Sequence, residues 1–188
     1  MRKLRIVNNS KLILGFTLAC VLVLALHYIT KGYTDTLLFS VYRSSLANPL
    51  TYFRFFGHVL GHSGMEHFIG NIMLIVVIGP MLEEKYGSRD LLIIMLISAF
   101  VTGLTHFIFF PNLQLLGASG IVFTFILLAS FTGYKGNTIP LTFIIVAVLY
   151  IGNQIYQGIF VNDNISNLTH IIGGLVGAVF GFILNKKD

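Results

Sequence analysis

Residues 168–184 read LTHIIGGLVGAVFGFIL. Apart from Thr169 and His170 the stretch is apolar from end to end, and its length approaches the roughly 20 residues a helix needs to cross a bilayer. His170, Gly173, Gly177 and Gly181 follow i, i+3, i+7 and i+11, so on a helix they share one face. Small residues on a face let a second backbone approach closely, and in lipid such packing replaces the hydrophobic drive that holds soluble helices together. The stretch therefore specifies a tightly packed membrane helix with a histidine at one end of its contact face.

The rest of the chain agrees. Of 188 residues, 55% are hydrophobic and only 10% charged, where a soluble domain carries about 25%. This excludes disorder, a nucleic-acid module and an ordinary cytosolic enzyme. The class is an all-α membrane protein, with room for one membrane domain over 1–188. Apolar runs fall at Leu12–Ile29, His67–Leu82, Leu91–Phe110, Ser119–Thr132, Pro140–Ile159 and Leu168–Leu184. Six spans put both termini on one side. With that side cytoplasmic, Arg2, Lys3, Arg5, Lys11, Lys85, Arg89, Lys135, Lys186 and Lys187 are inside and only Lys31, Arg43 and Arg54 outside, as the positive-inside rule asks. The net charge of +5 thus reads as topology, and no basic stripe suggests nucleic acid. Residues 1–11 form a short cytoplasmic segment. The first run is read as a retained helix, since it is long for a signal peptide and no small-x-small cleavage site follows. Residues 30–66 form an outer loop, too apolar for a solvated linker and expected to fold at the membrane interface. Cys20, alone in the chain, reads as a small buried apolar residue.

Polar groups inside hydrocarbon are costly and default to functional candidates. Here they are His58, His62, His67 and Asn71, spaced H-x3-H-x4-H-x3-N; Gly117-Ala118-Ser119-Gly120; and His170 with its glycines. At 1.5 Å per residue from the cytoplasmic ends, Ser119, His170, His67 and Asn71 lie about 18–24 Å up a core about 30 Å thick. They share one layer below the outer face. Gly120 and Thr124 supply a small face that matches the glycines of 173–181, and this pairing brings Ser119 near His170. A serine becomes a good nucleophile when an adjacent base takes its proton, and imidazole suits that task. Ser119 opens a helix, where unpaired N–H groups favour negative charge. His67 and Asn71, at i and i+4, can donate to an oxyanion. No carboxylate lies in the layer: Asp163 is in a loop and Glu66 precedes His67. The expectation is a Ser–His dyad without a third acidic member, performing acyl transfer with no cofactor.

In order along the chain, these residues resemble the rhomboid intramembrane serine proteases, from about Phe53 to Leu184. GASG at 117–120 is similar to the family's G-x-S-G nucleophile motif, and H-x-x-G-x-x-x-G at 170–177 to its histidine motif. His67 and Asn71 match its oxyanion pair, and His58 and His62 the histidines before it. Glu83-x3-Gly87 resembles the turn after the second helix. Phe53-Arg54 stands where many members have Trp-Arg, and Phe123, where the family often has Tyr, keeps a face to stack on His170. The resemblance implies six helices around a water-filled cavity open to the outside. It implies substrates that are single-span membrane proteins, entering between helices two and five. The minimal six-span form suits a bacterial inner membrane. Oligomeric state stays open.

Each residue alone has a plainer reading. Ser119 is a common packing residue, and His170 a helix-end histidine. His58 and His62 have the i, i+4 spacing of metal ligands but lack the intervening Glu of H-E-x-x-H; a structural role in ordering the loop below Arg54 is preferred, and no metal is expected. His27 and His106 read as interfacial and uninvolved. Asn153, Gln154 and Gln157 read as loosening the outer end of the fifth run. The competing functions are a non-catalytic rhomboid-like protein that binds membrane helices, a small transporter, and a histidine-based metal carrier.

Overall fold

Lipid offers no partner to a backbone N–H or C=O, so a chain this apolar satisfies them by folding its long runs as helices. The computed structural model does so, describing residues 9–132, 138–160 and 167–185. Arg2, Lys3, Arg5, Lys135, Asp163, Lys186 and Lys187, with the expected side of the termini, lie outside the described residues. The elements are α1 (Lys11–Thr30), α2 (Tyr33–Leu37), α3 (Pro49–Gly57) running into a 3-10 turn (His58–Leu60), α4 (Met65–Phe109), α5 (Ser119–Ala129), α6 (Leu141–Phe160) and α7 (Asn167–Asn185). α1, α4, α6 and α7 are long and apolar enough to cross a membrane, and α5 is a shorter apolar helix.

The second and third apolar runs form the single 45-residue stretch α4, which is broken at Gly87 (φ 80°, ψ 154°). That left-handed φ suits glycine, and it turns the chain back on itself. Gly117 lies against His67 and Asn71 before the break, while Gly120 lies against Thr102 beyond it. A straight helix would hold Asn71 and Thr102 about 46 Å apart. Glu83 fastens the reversal. Its buried carboxylate accepts from Ser88 Oγ (2.6 Å), from the backbone N–H groups of Leu12 (3.0 Å) and Ile13 (3.2 Å), and from Ser10 Oγ. An acid from α4 thus caps the N-terminus of α1, where negative charge is favoured.

Residues 31–64 fold into short helices and turns. Pro49 opens α3 and Asn48 caps it, accepting from Leu50 N–H at 2.9 Å. Arg54 is buried; its Nε donates to Leu37 O at 2.9 Å and its guanidinium lies 4.6 Å from the Tyr42 ring centre. Arg43 donates to the terminal carbonyls of α4, Phe107 O (2.9 Å) and Ile108 O (2.8 Å). Val41 and Leu115 exchange backbone hydrogen bonds at 2.8 and 2.9 Å, tying this segment to the chain entering α5.

At the centre α5 packs on α7 backbone to backbone. A Cβ on Gly173 would stand 2.4 Å from Gly120 O, and one on Gly177 2.1 Å from Thr124 O. Thr124 Oγ1 donates to Gly173 O at 2.7 Å, and Ser98 Oγ meets Thr124 Oγ1 at 2.7 Å, linking α4, α5 and α7. Phe125, Ile121, Leu127 and Leu128 of α5 are buried around this contact, and Cys20 joins the same core.

Gly177→Ala is expected to lower stability by about 1–3 kcal/mol or more through overpacking. Gly174→Ala, whose Cβ would meet only Leu127 at 3.6 Å, is expected to be tolerated. Thermal unfolding in detergent checks the contrast, and equal losses at the two positions would contradict the packing described.

Candidate active site

The α5–α7 contact sets two side chains facing each other. Ser119 is the first residue of α5, and His170 lies one turn above Gly173 on α7. Ser119 Oγ is 2.8 Å from His170 Nε2. On the other side of the ring, Nδ1 is 2.8 Å from Oε1 of Gln154 on α6. Phe123 stacks on the imidazole with centroids 4.6 Å apart and planes 12° apart, and Tyr150 meets Phe123 edge-on at 5.1 Å. Ser119 and His170 are half-buried, while Gln154 is buried.

The histidine-rich segment completes the site. Gly117 has φ +126°, and a Cβ there would be 2.7 Å from His67 Nε2 and 3.8 Å from Asn71 Nδ2. The left-handed φ and the closeness of the His67 ring both ask for glycine here. Ser63 Oγ is 3.2 Å from His67 Nδ1, and Asn71 Nδ2 donates to His67 O at 3.0 Å, keeping its second N–H. A recess of about 440 Å³ at the start of α4 is lined by Ser63, Gly64, Met65, Glu66 and His67. Of the site residues it reaches His67.

The remaining candidates hold the frame. His58 Nε2 donates to Ala99 O (3.0 Å) and its own carbonyl accepts from Gly117 N–H (2.9 Å), so it joins α4 to the loop before Ser119. His62 Nδ1 donates to Leu60 O at 3.2 Å, and its ring lies 5.2 Å from that of His67. Burial pushes both imidazoles down to about 4. Arg54, Glu83 and Gly87 brace the scaffold through the contacts already described. Among the described residues no cluster of three or more His, Cys, Asp or Glu could hold a metal.

The structure adds partners for three further sets of polar residues. His106, in the last turn of α4, is buried; its Nε2 donates to Leu113 O at 3.2 Å and its ring stacks on Phe110. His27 is paired, its Nδ1 lying 2.5 Å from Asp35 Oδ2. Asn153, Gln154 and Gln157 do not act alike, because Asn153 is exposed whereas Gln154 points inward to His170. The depth count that aligned Ser119 with His170 also places Gln154 in their layer, about 21 Å from Pro140. Restricting the search for a third member to carboxylates hid it.

Fold and site define an integral membrane protein of packed apolar helices with a serine and a histidine in contact inside the bundle. The Rhomboid domain family model matches residues 49–187, and the chain belongs to the rhomboid family. Over 184 residues it is 23% identical to rhomboid protease GlpG of Haemophilus influenzae, covering 95% of this chain and 93% of that protein. It is 29% identical over 162 residues to Rhomboid-related protein 2 of Mus musculus, covering 73% of this chain and 52% of that one. It is 28% identical over 153 residues to rhomboid protease GluP of Bacillus subtilis, covering 78% and 29%. The chain thus spans about half the length of the mouse relative.

The two depressed histidines fix a sign. Their folded values, about 4, lie below the ordinary 6.5, so in acid the unfolded chain binds protons that the folded chain refuses. Stability is expected to be level above pH 6.5 and to fall as pH drops toward 4. His58→Gln, which keeps a donor for Ala99 O, should flatten part of that slope in detergent unfolding measured against pH.

Proposed function

We propose that the protein is an intramembrane serine protease that cleaves transmembrane segments of membrane proteins near the outer face of the bilayer. The observation that carries this reading is the 2.8 Å contact between Ser119 Oγ and His170 Nε2. The two side chains are 51 residues apart in sequence, and they sit at the ends of two helices whose backbones touch. The relatives named as rhomboid proteases support the reaction class.

In the proposed reaction His170 Nε2 takes the hydroxyl proton as Ser119 Oγ bonds to the scissile carbonyl carbon. Negative charge then develops on the carbonyl oxygen. Donors for it are the unpaired N–H at Ser119, which opens α5, the second N–H of Asn71, and His67 Nε2. If Ser63 Oγ–H donates to His67 Nδ1, the His67 proton resides on Nε2, facing Gly117. The tetrahedral species collapses as His170 gives its proton to the leaving amine, leaving an acyl ester on Ser119. Water, deprotonated by the same histidine, attacks the ester and restores the serine.

Hydrolysis inside a bilayer needs water at Ser119, so the reading includes a water-filled cavity open to the outer side, of which the recess beside His67 is one part. A helical substrate has its carbonyls hydrogen-bonded, so it must unwind first, and helix-weakening residues with a small residue before the cut are the expected preference. In this reading 1–188 is one six-helix domain with both termini cytoplasmic, in a bacterial inner membrane, with the lipid bilayer and transmembrane substrates as its partners.

The test is labelling of the detergent-purified chain by a fluorophosphonate, followed by cleavage of a model transmembrane substrate. Ser119→Ala and His170→Ala are expected to abolish both, and Asn71→Ala to slow cleavage about 100-fold, as the loss of an oxyanion donor does. Cleavage that survives Ser119→Ala would overturn the assignment. A wild-type chain that binds transmembrane peptides without labelling or cutting would be the non-catalytic binder.

A further inference from the structure

α6 is the least embedded of the long helices, with 6% of its most apolar window buried against 50% for α4. Gln154 is its buried side chain. An amide removed from water is costly unless hydrogen-bonded, and the Gln154 oxygen is 2.8 Å from His170 Nδ1. An amide oxygen can only accept, so this contact puts the imidazole proton on Nδ1. Nε2 then turns a lone pair to Ser119 Oγ at 2.8 Å. The chain of bonds runs one way: the serine hydroxyl donates to Nε2, and Nδ1–H donates to Gln154. With the tautomer reversed, Nε2 would carry a hydrogen toward Ser119 and could not act as a base. Phe123 fixes the plane of the ring by stacking, while Gln154 fixes its rotation within that plane.

We propose that Gln154 is a positioning residue that holds His170 in its Nδ1–H tautomer, so that the seating of α6 against α7 determines whether Ser119 faces a base. The inference rests on the reading of Ser119 and His170 as nucleophile and base. A neutral amide can set the tautomer as the acid of a full triad does, but it lacks the charge with which that acid also stabilises the imidazolium. The loosely held α6 carries this acceptor, so an outward shift of the helix would withdraw it.

The test uses the full chain in detergent with Gln154→Met, which keeps length but has no amide acceptor, and Gln154→Glu, which keeps an acceptor oxygen. Nitrogen-15 NMR of labelled histidine reads the His170 tautomer directly, and fluorophosphonate labelling reads the reactivity of Ser119. Expected are Nδ1–H in the wild type, labelling slowed about tenfold or more in Gln154→Met at a nearly unchanged unfolding temperature, and labelling restored in Gln154→Glu. An Nε2–H tautomer in the wild type, or wild-type labelling by Gln154→Met, would overturn the proposal. If Gln154→Met fails to fold, the wild-type tautomer and the Gln154→Glu rate still decide. A wild type in the Nδ1–H form that does not label would support the positioning while overturning the nucleophile reading.

Discussion

Everything at the centre depends on two helices approaching closer than side chains allow. Oxygens of Gly120 and Thr124 occupy the space where Cβ atoms of residues 173 and 177 would be. Apolar burial cannot draw helices together in a solvent as apolar as they are, so dispersion contact and the hydrogen bonds at Thr124 take its place. The separation of α5 and α7 is therefore set by main-chain atoms. The Ser119–His170 distance inherits that setting and does not depend on two flexible side chains finding each other.

The glycine face was legible because its period of three and four is a helical period, and a helical face in lipid must meet another. The meeting of Ser119 with His170 was legible because rise per residue is fixed along each run. What escaped reading has a physical pattern. Glu83 stood out only through a motif, because nothing in its neighbourhood says that its carboxylate reaches across to the first turn of α1. The partner of His106, the carbonyl of Leu113 seven residues later, is not visible in a string. Gln154 was seen as polar but grouped with Asn153, although adjacent residues on a helix point in different directions. Partners supplied by a backbone or by another helix are what one sequence hides most.

The bundle divides into a braced part and a lightly held one. Glu83, Arg43 and Arg54 each place a donor or acceptor at a helix end where an unpaired backbone group would otherwise be left, and buried His58 ties α4 to the loop before Ser119. α5 and α7 share glycine contacts and a core of buried aliphatic side chains. α6 has less of both: Gln154 reaches His170 and Phe143, Val146, Ala147 and Tyr150 lean on the core, but its other large apolar residues, among them Leu149, Ile155 and Phe160, are exposed in the isolated chain.

The reversal at Gly87 spends a single residue where most helical connections spend several. A longer loop would absorb an insertion or deletion as slack. Here none exists, and one residue added to or removed from either limb rotates everything beyond it by about 100°. Asn71 before the turn and Ser98 beyond it both point at the chain around α5, so their phase is written into the number of residues separating them. Between these positions the length of the polypeptide is as strictly specified as the identity of Gly87 or Glu83, and lipid-facing substitutions there are tolerable in a way that changes of length are not.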